Sequence, residues 1–221
     1  MKVNEAMSAR KSVRAFMDKP VGHDLVMQIL DVASHSPSGV NTQPWQVAIV
    51  TGDTKLNLQQ ELEQAFREGV KGQMDYGYYP VEWKSPYKER RKACGLALYS
   101  ALNIERGDKQ RQLDQWAANY RAFDAPFMLL FYMDGLLETG SFLDFGMFLQ
   151  SLMLAATAEG LATCPQAALA EYPEIVKTEL GLAEDCILIC GMALGYEDKD
   201  AVVNSYRTPR EPIETWVRFE S

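Results

Sequence analysis

Residues 141–160 read SFLDFGMFLQSLMLAATAEG, and this stretch decides how the chain must fold. Apolar side chains recur there at helical spacing and form one stripe, made of Phe142, Phe145, Leu149, Leu152, Met153 and Ala156. Further apolar residues fill the other faces, at Leu143, Met147, Phe148 and Leu154. The most apolar part, 145–158, has fourteen residues, fewer than the roughly 20 that cross a bilayer. The pattern predicts a buried helix and no membrane span.

A helix that is apolar on every side must be covered on every side. A chain of 221 residues surrounds such a helix only partly with its own layers, so we expect a second copy to cover the remainder. The small residues Gly146, Ala155 and Ala156 would let the two copies approach closely. The sequence therefore predicts a homodimer.

Three shorter apolar segments are typical of strands. Residues 45–50 and 127–133 are short apolar runs, and the first is closed by turn residues. Residues 186–193 form a nearly continuous apolar run, as in a central strand that is buried on both faces. The apolar spacing of residues 24–33 indicates an amphipathic helix, and residues 56–66 indicate an exposed one.

Charge and cysteine content exclude several classes of function. Thirty acidic and 22 basic residues give a net charge of -8, which argues against binding to a phosphate backbone and so against a nucleic-acid partner. The four cysteines and two histidines fall in no metal-ligand or redox spacing, so we expect no metal site and reduced thiols. The N-terminal residues contain no apolar stretch of the kind found in signal peptides, and the expected location is the cytoplasm.

Known catalytic motifs are missing, but cations are placed unusually. The sequence contains no GxGxxG, GxxxxGK[ST] or GxSxG motif. Arg10, Lys11 and Arg14 surround Ser12 near one end, and Arg207 and Arg210 lie near the other. Guanidinium groups bind phosphate through paired hydrogen bonds. The two groups would clamp one phosphate monoester if the ends of the chain meet.

Residues 69–92 combine Gly, Tyr and Pro with a run of cations. The first part reads as a loop, and a helix with a basic face follows it, carrying Lys84, Lys88, Arg90, Arg91 and Lys92. One interpretation is a lid that brings cations to an anionic ligand. The other is a solvated helix face, which is the commoner role of a basic run.

Five blocks, in order along the chain, carry a family resemblance. They are SARKSVRAF at 8–16, SPSGVNTQPW at 36–45, GLATCPQAA at 160–168, GMALGY at 191–196 and REPI at 210–213. Together they resemble the nitroreductase family of FMN-dependent oxidoreductases. The segments DFGMFLQ at 144–150 and TCPQ at 163–166 look closest to the bacterial nitrobenzoate-reductase-like branch.

The resemblance implies a fold and an assembly. The fold would be α+β, with a mixed sheet flanked by helices, in a single nitroreductase-like FMN-binding domain over residues 1–221. Two chains would intertwine as a homodimer with two FMN sites at the interface. In that dimer the two ends of the polypeptide would converge on one flavin tail.

The resemblance also implies roles for individual residues. The ribityl phosphate and the polar edge of the flavin would be held by Arg10, Lys11, Ser12, Arg14, Arg207 and Arg210. A loop reaching the flavin of the partner subunit would contain Pro37, Ser38, Gly39 and Asn41. The segment beneath the flavin ring would be Pro165, Gln166, Ala167 and Ala168, with the backbone N–H of Ala167 directed at flavin N5. Many family members have an acidic residue and a glycine where this chain has Ala167 and Ala168, so the class of substrate is open.

The expected activity follows from the resemblance. Hydride would pass from NAD(P)H through flavin N5 to a nitroaromatic or quinone acceptor in a ping-pong cycle, because the cofactor carries the hydride chemistry. The same scaffold would also suit dehalogenation or ene reduction, or a flavin-binding dimer without turnover. Tyr120 and Phe123 precede the second strand and either cover the substrate or pack in the core.

Overall fold

The computed structural model describes residues 1–220, which form seven α-helices and four β-strands. The helices are α1 (Val3–Ala9), α2 (His23–Ser34), α3 (Gly52–Arg67), α4 (Tyr87–Ala101), α5 (Lys109–Ala117), α6 (Gly140–Ala158) and α7 (Pro173–Leu180). The strands are β1 (Gln46–Val50), β2 (Phe127–Met133), β3 (Ala162–Gln166) and β4 (Ile187–Gly195). The three predicted strands and the predicted helices are present, and β3 is an addition.

The four strands form one sheet in the order β1-β2-β4-β3, and each neighbouring pair is antiparallel. This corrects the expectation of a mixed sheet. Within residues 1–220 the parallel pairing is a single bridge, between Ser12 and Thr163 of β3. The N-terminal segment is held against β3 at that point without extending into a fifth strand.

Helices cover both faces of the sheet because the central strands are apolar on both faces. Side chains of β2 alternate: Phe131 packs with the core around α2 and α6, whereas Leu130 packs with the core around α3 and α7. The predicted all-apolar character of β4 has the same cause, since nearly all of its residues are buried. The α+β class is confirmed.

Helix α6 is covered on one side only. Phe145, Phe148 and Leu152 are buried against the sheet and α2, while Leu143 is 72% exposed. Among the described helices, α6 is the one whose length and composition would suit a membrane span. Its buried aromatic face places it instead as a core helix with one apolar face left open.

A close approach at Gly191 positions the segment that follows β3. A Cβ atom built on Gly191 would lie 2.4 Å from the side chain of Leu169. The turn at Ala167–Ala170 therefore rests directly on β4, because no side chain stands between them. Residues 165–168 are thus positioned against the middle of β4.

Candidate active site

The two ends of the chain meet beside β3. Val13 N–H donates to the carbonyl of Thr163 at 3.0 Å, which fixes the N-terminal segment. The buried side chain of Asn204 then joins the two ends, since its Oδ1 accepts from Arg14 N–H at 2.8 Å and its Nδ2 donates to the Ala15 carbonyl at 2.9 Å. Both ends belong to one chain, so this convergence needs no partner.

The junction encloses a cavity of about 170 Å³ with a strongly cationic lining, made of Arg10, Lys11, Ser12, Arg14, Cys94, Tyr206, Arg207, Thr208 and Arg210. We call it the arginine pocket. Lys11 is neutralised there, because its ammonium group contacts Glu197 at 2.6 Å and the Asn204 carbonyl at 2.5 Å. The remaining positive charge of the pocket resides on arginines.

None of the four arginines of this pocket forms an ion pair within residues 1–220. Arg207 donates to the carbonyls of Ser8 and Ala9, at 2.6 and 2.9 Å. Burial lowers the pKa of Arg10, and the nearby charges of Arg210 and Arg207 lower it further. The pocket thus concentrates positive charge without a compensating carboxylate, which is the arrangement that binds a multiply charged oxyanion.

A larger cavity of about 540 Å³ lies at the other end of β3. It is lined by the predicted segment Pro165–Ala168 on one side, and elsewhere by Gly72, Met74, Tyr78, Tyr79, Arg91, Trp116, Asn119 and Glu171. We call it the ring cavity. From Thr163 to Gln166 a strand advances about 10 Å, so β3 sets the separation between the two cavities.

The side-chain amide of Gln166 has hydrogen-bond partners on its nitrogen but none on its oxygen. Its Nε2 donates to the Asn119 carbonyl at 2.8 Å, and the Asn119 side-chain oxygen lies at 3.4 Å. Both partners are acceptors, which fixes the orientation of the amide. Gln166 Oε1 is buried and has no hydrogen-bond partner. A buried acceptor of this kind matches a donor on a bound molecule.

The predicted lid region borders the ring cavity and is anchored at its start. The Asp75 carboxylate accepts from Lys177 at 3.0 Å and from the Leu188 N–H at 2.8 Å, and the Tyr76 hydroxyl donates to the Ile189 carbonyl at 2.6 Å. Farther along, Val81 is fully exposed. The solvated-face interpretation also holds in part, because α4 has no buried residue.

The loop at Pro37, Ser38, Gly39 and Asn41 lies away from both cavities of its own chain. Gly39 N–H donates to both carboxylate oxygens of Asp144 on α6, at 3.2 Å. Pro37 borders the open face of α6 beside Leu143 and Met147. The loop is therefore presented on the surface where we expect the second copy.

Comparison with known proteins decides the family. The model of the nitroreductase family matches residues 7–196. The chain belongs to the nitroreductase family. It is 36% identical over 213 residues to a 4-nitrobenzoate reductase of Pseudomonas putida, with 96% of this chain and 93% of that relative covered. The family resemblance is confirmed.

Solved nitroreductase structures have the same fold. The FMN and NADPH-dependent nitroreductase NfnB from Sphigopyxis sp. strain HMH superimposes with a TM-score of 0.97 at 38% identity, covering 100% of both chains. The FMN-dependent NfnB from Mycobacterium smegmatis, solved in complex with NADPH, gives a TM-score of 0.93 at 33% identity and covers 99% of this chain and 97% of that one.

Two residues expected above the substrate lie elsewhere in this nitroreductase fold. Tyr120 is 0% and Phe123 is 5% exposed, and both pack in the core around α3 and α7. The Tyr120 hydroxyl donates to Glu171 at 2.5 Å, and burial, with that contact, raises its pKa. The structure favours the core alternative for both residues, and a position just before a strand does not by itself reveal which face the side chain will take.

Sequence reasoning missed four residues of the arginine pocket. Cys94, Tyr206 and Thr208 line it, and Asn204 joins the two ends of the chain beside it. Asn204 lies 190 positions from the backbone it binds, and Cys94 is brought there by α4. No sequence signal marked these residues, because an Asn such as Asn204 is equally expected in an ordinary turn.

Proposed function

We propose that this chain binds FMN and passes hydride from NAD(P)H, through flavin N5, to a nitroaromatic or quinone acceptor. The observation that carries the proposal is the arginine pocket, whose four arginines form no ion pair with a carboxylate of residues 1–220, joined by β3 to a ring cavity. Nitroreductases described as FMN and NADPH-dependent share this fold over the whole chain. We take residues 1–221 as one FMN-binding domain.

The chemistry of the two cavities fits FMN. The dianionic phosphate suits the arginine pocket, where Arg10 and Arg14 would present guanidinium donors and the Ser12 hydroxyl would add another. Arg207 and Arg210 add positive charge, while part of their guanidinium groups already binds backbone carbonyls. The ring cavity has aromatic and apolar walls for a flat ring, and the unpartnered Gln166 Oε1 would accept from one of the ring N–H groups.

Bound FMN would supply the hydride-transfer chemistry. The chain's own residues would bind and orient the cofactor. The arginines would hold the phosphate, and their positive charge would favour an anionic cofactor. Ala167 opens the turn that rests on β4, so its backbone N–H is held in place to donate to N5 without a side chain. In this proposal no protein side chain serves as proton donor, and solvent protonates the product.

The open face of α6 supports a homodimer. Leu143, Gly146 and Met147 border an apolar groove of about 500 Å³ together with Pro37. A second copy seated on this face would cover α6 and bring its own loop, with Pro37, Ser38, Gly39 and Asn41, toward the flavin of the first. The free, buried thiols of Cys164, Cys186 and Cys190 agree with a reducing cytoplasm.

Replacing Leu143 with Asp tests the dimer. A charge in the centre of the α6 face should shift the protein to monomers in light scattering and release FMN, since the partner loop is then absent. Leu136→Asp, a change at another exposed leucine (82%), is the control. A Leu143→Asp variant that remains dimeric and yellow contradicts this interface.

Rapid mixing without oxygen tests the reductase. The purified holoenzyme is mixed with NADH or NADPH while the flavin absorbance is followed, and then with 4-nitrobenzoate or a quinone. We expect the nucleotide to bleach the flavin and the acceptor to restore its colour. Flavin that stays oxidised with either nucleotide would leave a flavin-binding dimer without turnover. Reoxidation by a halogenated phenol alone would instead identify a dehalogenase.

A further inference from the structure

The ring cavity contains one cation, Arg91 of α4, in an aromatic setting. Its guanidinium lies over the ring of Trp83, 5.2 Å from the centroid. Within residues 1–220 it forms no ion pair, whereas the adjacent Arg90 pairs with Glu211 at 3.2 Å. This contact with the face of Trp83 does not use the N–H groups of the guanidinium, which stay available for hydrogen bonds. Arg91 is therefore presented to the cavity with its donors unused.

Glu171 supplies the one carboxylate that lines the same cavity. This carboxylate already has a hydrogen-bond partner in the cavity wall. Its Oε2 accepts from the Tyr120 hydroxyl at 2.5 Å. Its carbonyl accepts from Gln73 N–H at 2.9 Å, and a Cβ atom on Gly72 would lie 2.2 Å from its Cγ, so the start of the lid region presses against it. Glu171 does not neutralise Arg91, since no ion pair joins them.

We propose that Arg91 binds the carboxylate of the electron acceptor, so that this enzyme prefers aromatic acceptors that carry an anionic substituent. The inference rests on the proposed function and names its substrate class. Tyr78, Tyr79 and Trp116 offer apolar surface to the aromatic ring of the acceptor, while Arg91 receives two carboxylate oxygens in a paired contact. Glu171, on the same cavity, repels that carboxylate and so favours its placement at Arg91.

The same guanidinium would also suit a phosphate of the nicotinamide nucleotide, because both ligands are oxyanions. Two features favour the carboxylate of a small acceptor. The aromatic residues that border Arg91 suit a ring attached to the anion, and the arginine pocket already supplies the chain's concentrated phosphate-binding charge. The experiment therefore measures both ligands.

The test compares the wild-type holoenzyme with Arg91→Gln and with Arg106→Gln as the control. Like Arg91, Arg106 has no ion pair within residues 1–220, so its replacement changes the net charge by the same amount. Arg106 borders a different cavity, between α4 and α5. The measured quantity is the ratio of kcat/KM for 4-nitrobenzoate to kcat/KM for the neutral 4-nitrobenzamide. Arg91→Gln should lower this ratio roughly ten-fold or more, and Arg106→Gln should leave it within about two-fold.

A second readout needs no turnover. Benzoate binding to the oxidised holoenzyme is followed through the flavin spectrum, and Arg91→Gln should weaken it by a factor similar to the fall in the ratio. If neither nitro compound is reduced, the proposed function fails while benzoate binding still tests Arg91. An unchanged ratio with unchanged benzoate affinity overturns the inference. A raised KM for NAD(P)H with an unchanged ratio overturns it too, and assigns Arg91 to the nucleotide.

Discussion

Replacing Arg10 with Gln should weaken FMN binding and, unusually, make the FMN-free protein more stable. Arg10 lies in the arginine pocket, where burial and the charges of Arg210 and Arg207 lower its pKa. Without a bound anion this guanidinium is repelled and partly desolvated, and no carboxylate pairs with it in residues 1–220. In the FMN-free protein, replacing Arg10 relieves this repulsion. In the FMN-bound protein, the same replacement removes a hydrogen-bond partner of the phosphate.

The expected loss of affinity follows from one charge-assisted contact. Hydrogen bonds to charged groups contribute about 1.5–3 kcal/mol, and each 1.4 kcal/mol is ten-fold in Kd, so FMN affinity should fall roughly 10- to 150-fold. Three arginines remain in the pocket, which places the result toward the smaller value. The stabilisation by added FMN should then fall by about 1.4 kcal/mol for each ten-fold rise in Kd, at a fixed excess of FMN.

Two measurements on the same FMN-free protein decide the matter. Quenching of flavin fluorescence gives Kd, and thermal unfolding with and without FMN gives the shift in Tm. Arg106→Gln, which removes the same charge away from the pocket, should change neither by much. The reasoning is refuted if Arg10→Gln binds FMN within about two-fold of the wild type, or if it lowers the Tm of the FMN-free protein.

Three further experiments, one labelling reaction and two substitutions, test other parts of the structure. Cys94 is the exposed thiol of the four and lines the arginine pocket, so iodoacetamide should label it alone and bound FMN should slow labelling; equal rates with and without FMN would contradict this placement. Asp75→Asn breaks a largely buried ion pair with Lys177 and should lower the free energy of unfolding by about 3–5 kcal/mol in urea titrations. Tyr120→Phe removes the hydrogen bond to Glu171 and should lower that free energy by about 1–3 kcal/mol, with the KM for the neutral 4-nitrobenzamide unchanged; a raised KM for this neutral acceptor would favour the substrate role.

Local pattern was sufficient for the central strands and for most helices. The structure has strands over Gln46–Val50, Phe127–Met133 and Ile187–Gly195, within two residues of the predicted bounds, because burial on both faces imposes an apolar run that the sequence displays. Strand β3 carries no such run. It lies at the edge of the sheet, where Pro165 is tolerated because a missing N–H need not break a central ladder, and it is a strand through its pairing with β4.

The site was accessible from the sequence only where its residues fall in short blocks. Arg10, Ser12 and Arg14 could be proposed from one block, and Arg210 from another. That they share a pocket depends on Asn204, whose side chain binds Arg14 and Ala15 across the length of the chain. A single polar residue in a turn gives no sign of such a contact, because its partners are defined by the fold and not by spacing.

The incomplete cover of α6 links the sequence pattern to the position of the site. An all-apolar helix buries its inner face against the sheet through Phe145 and Phe148, and its outer face, with Leu143 exposed, stays open where we propose a second copy. The same open face borders Pro37, and Gly146 on it also lines the small cavity behind Pro165 and Gln166. A partner that covers α6 must therefore also close the space next to the ring cavity. In the proposed dimer, assembly and completion of the site would be one event, because the apolar surface that would drive assembly also forms a wall of that space.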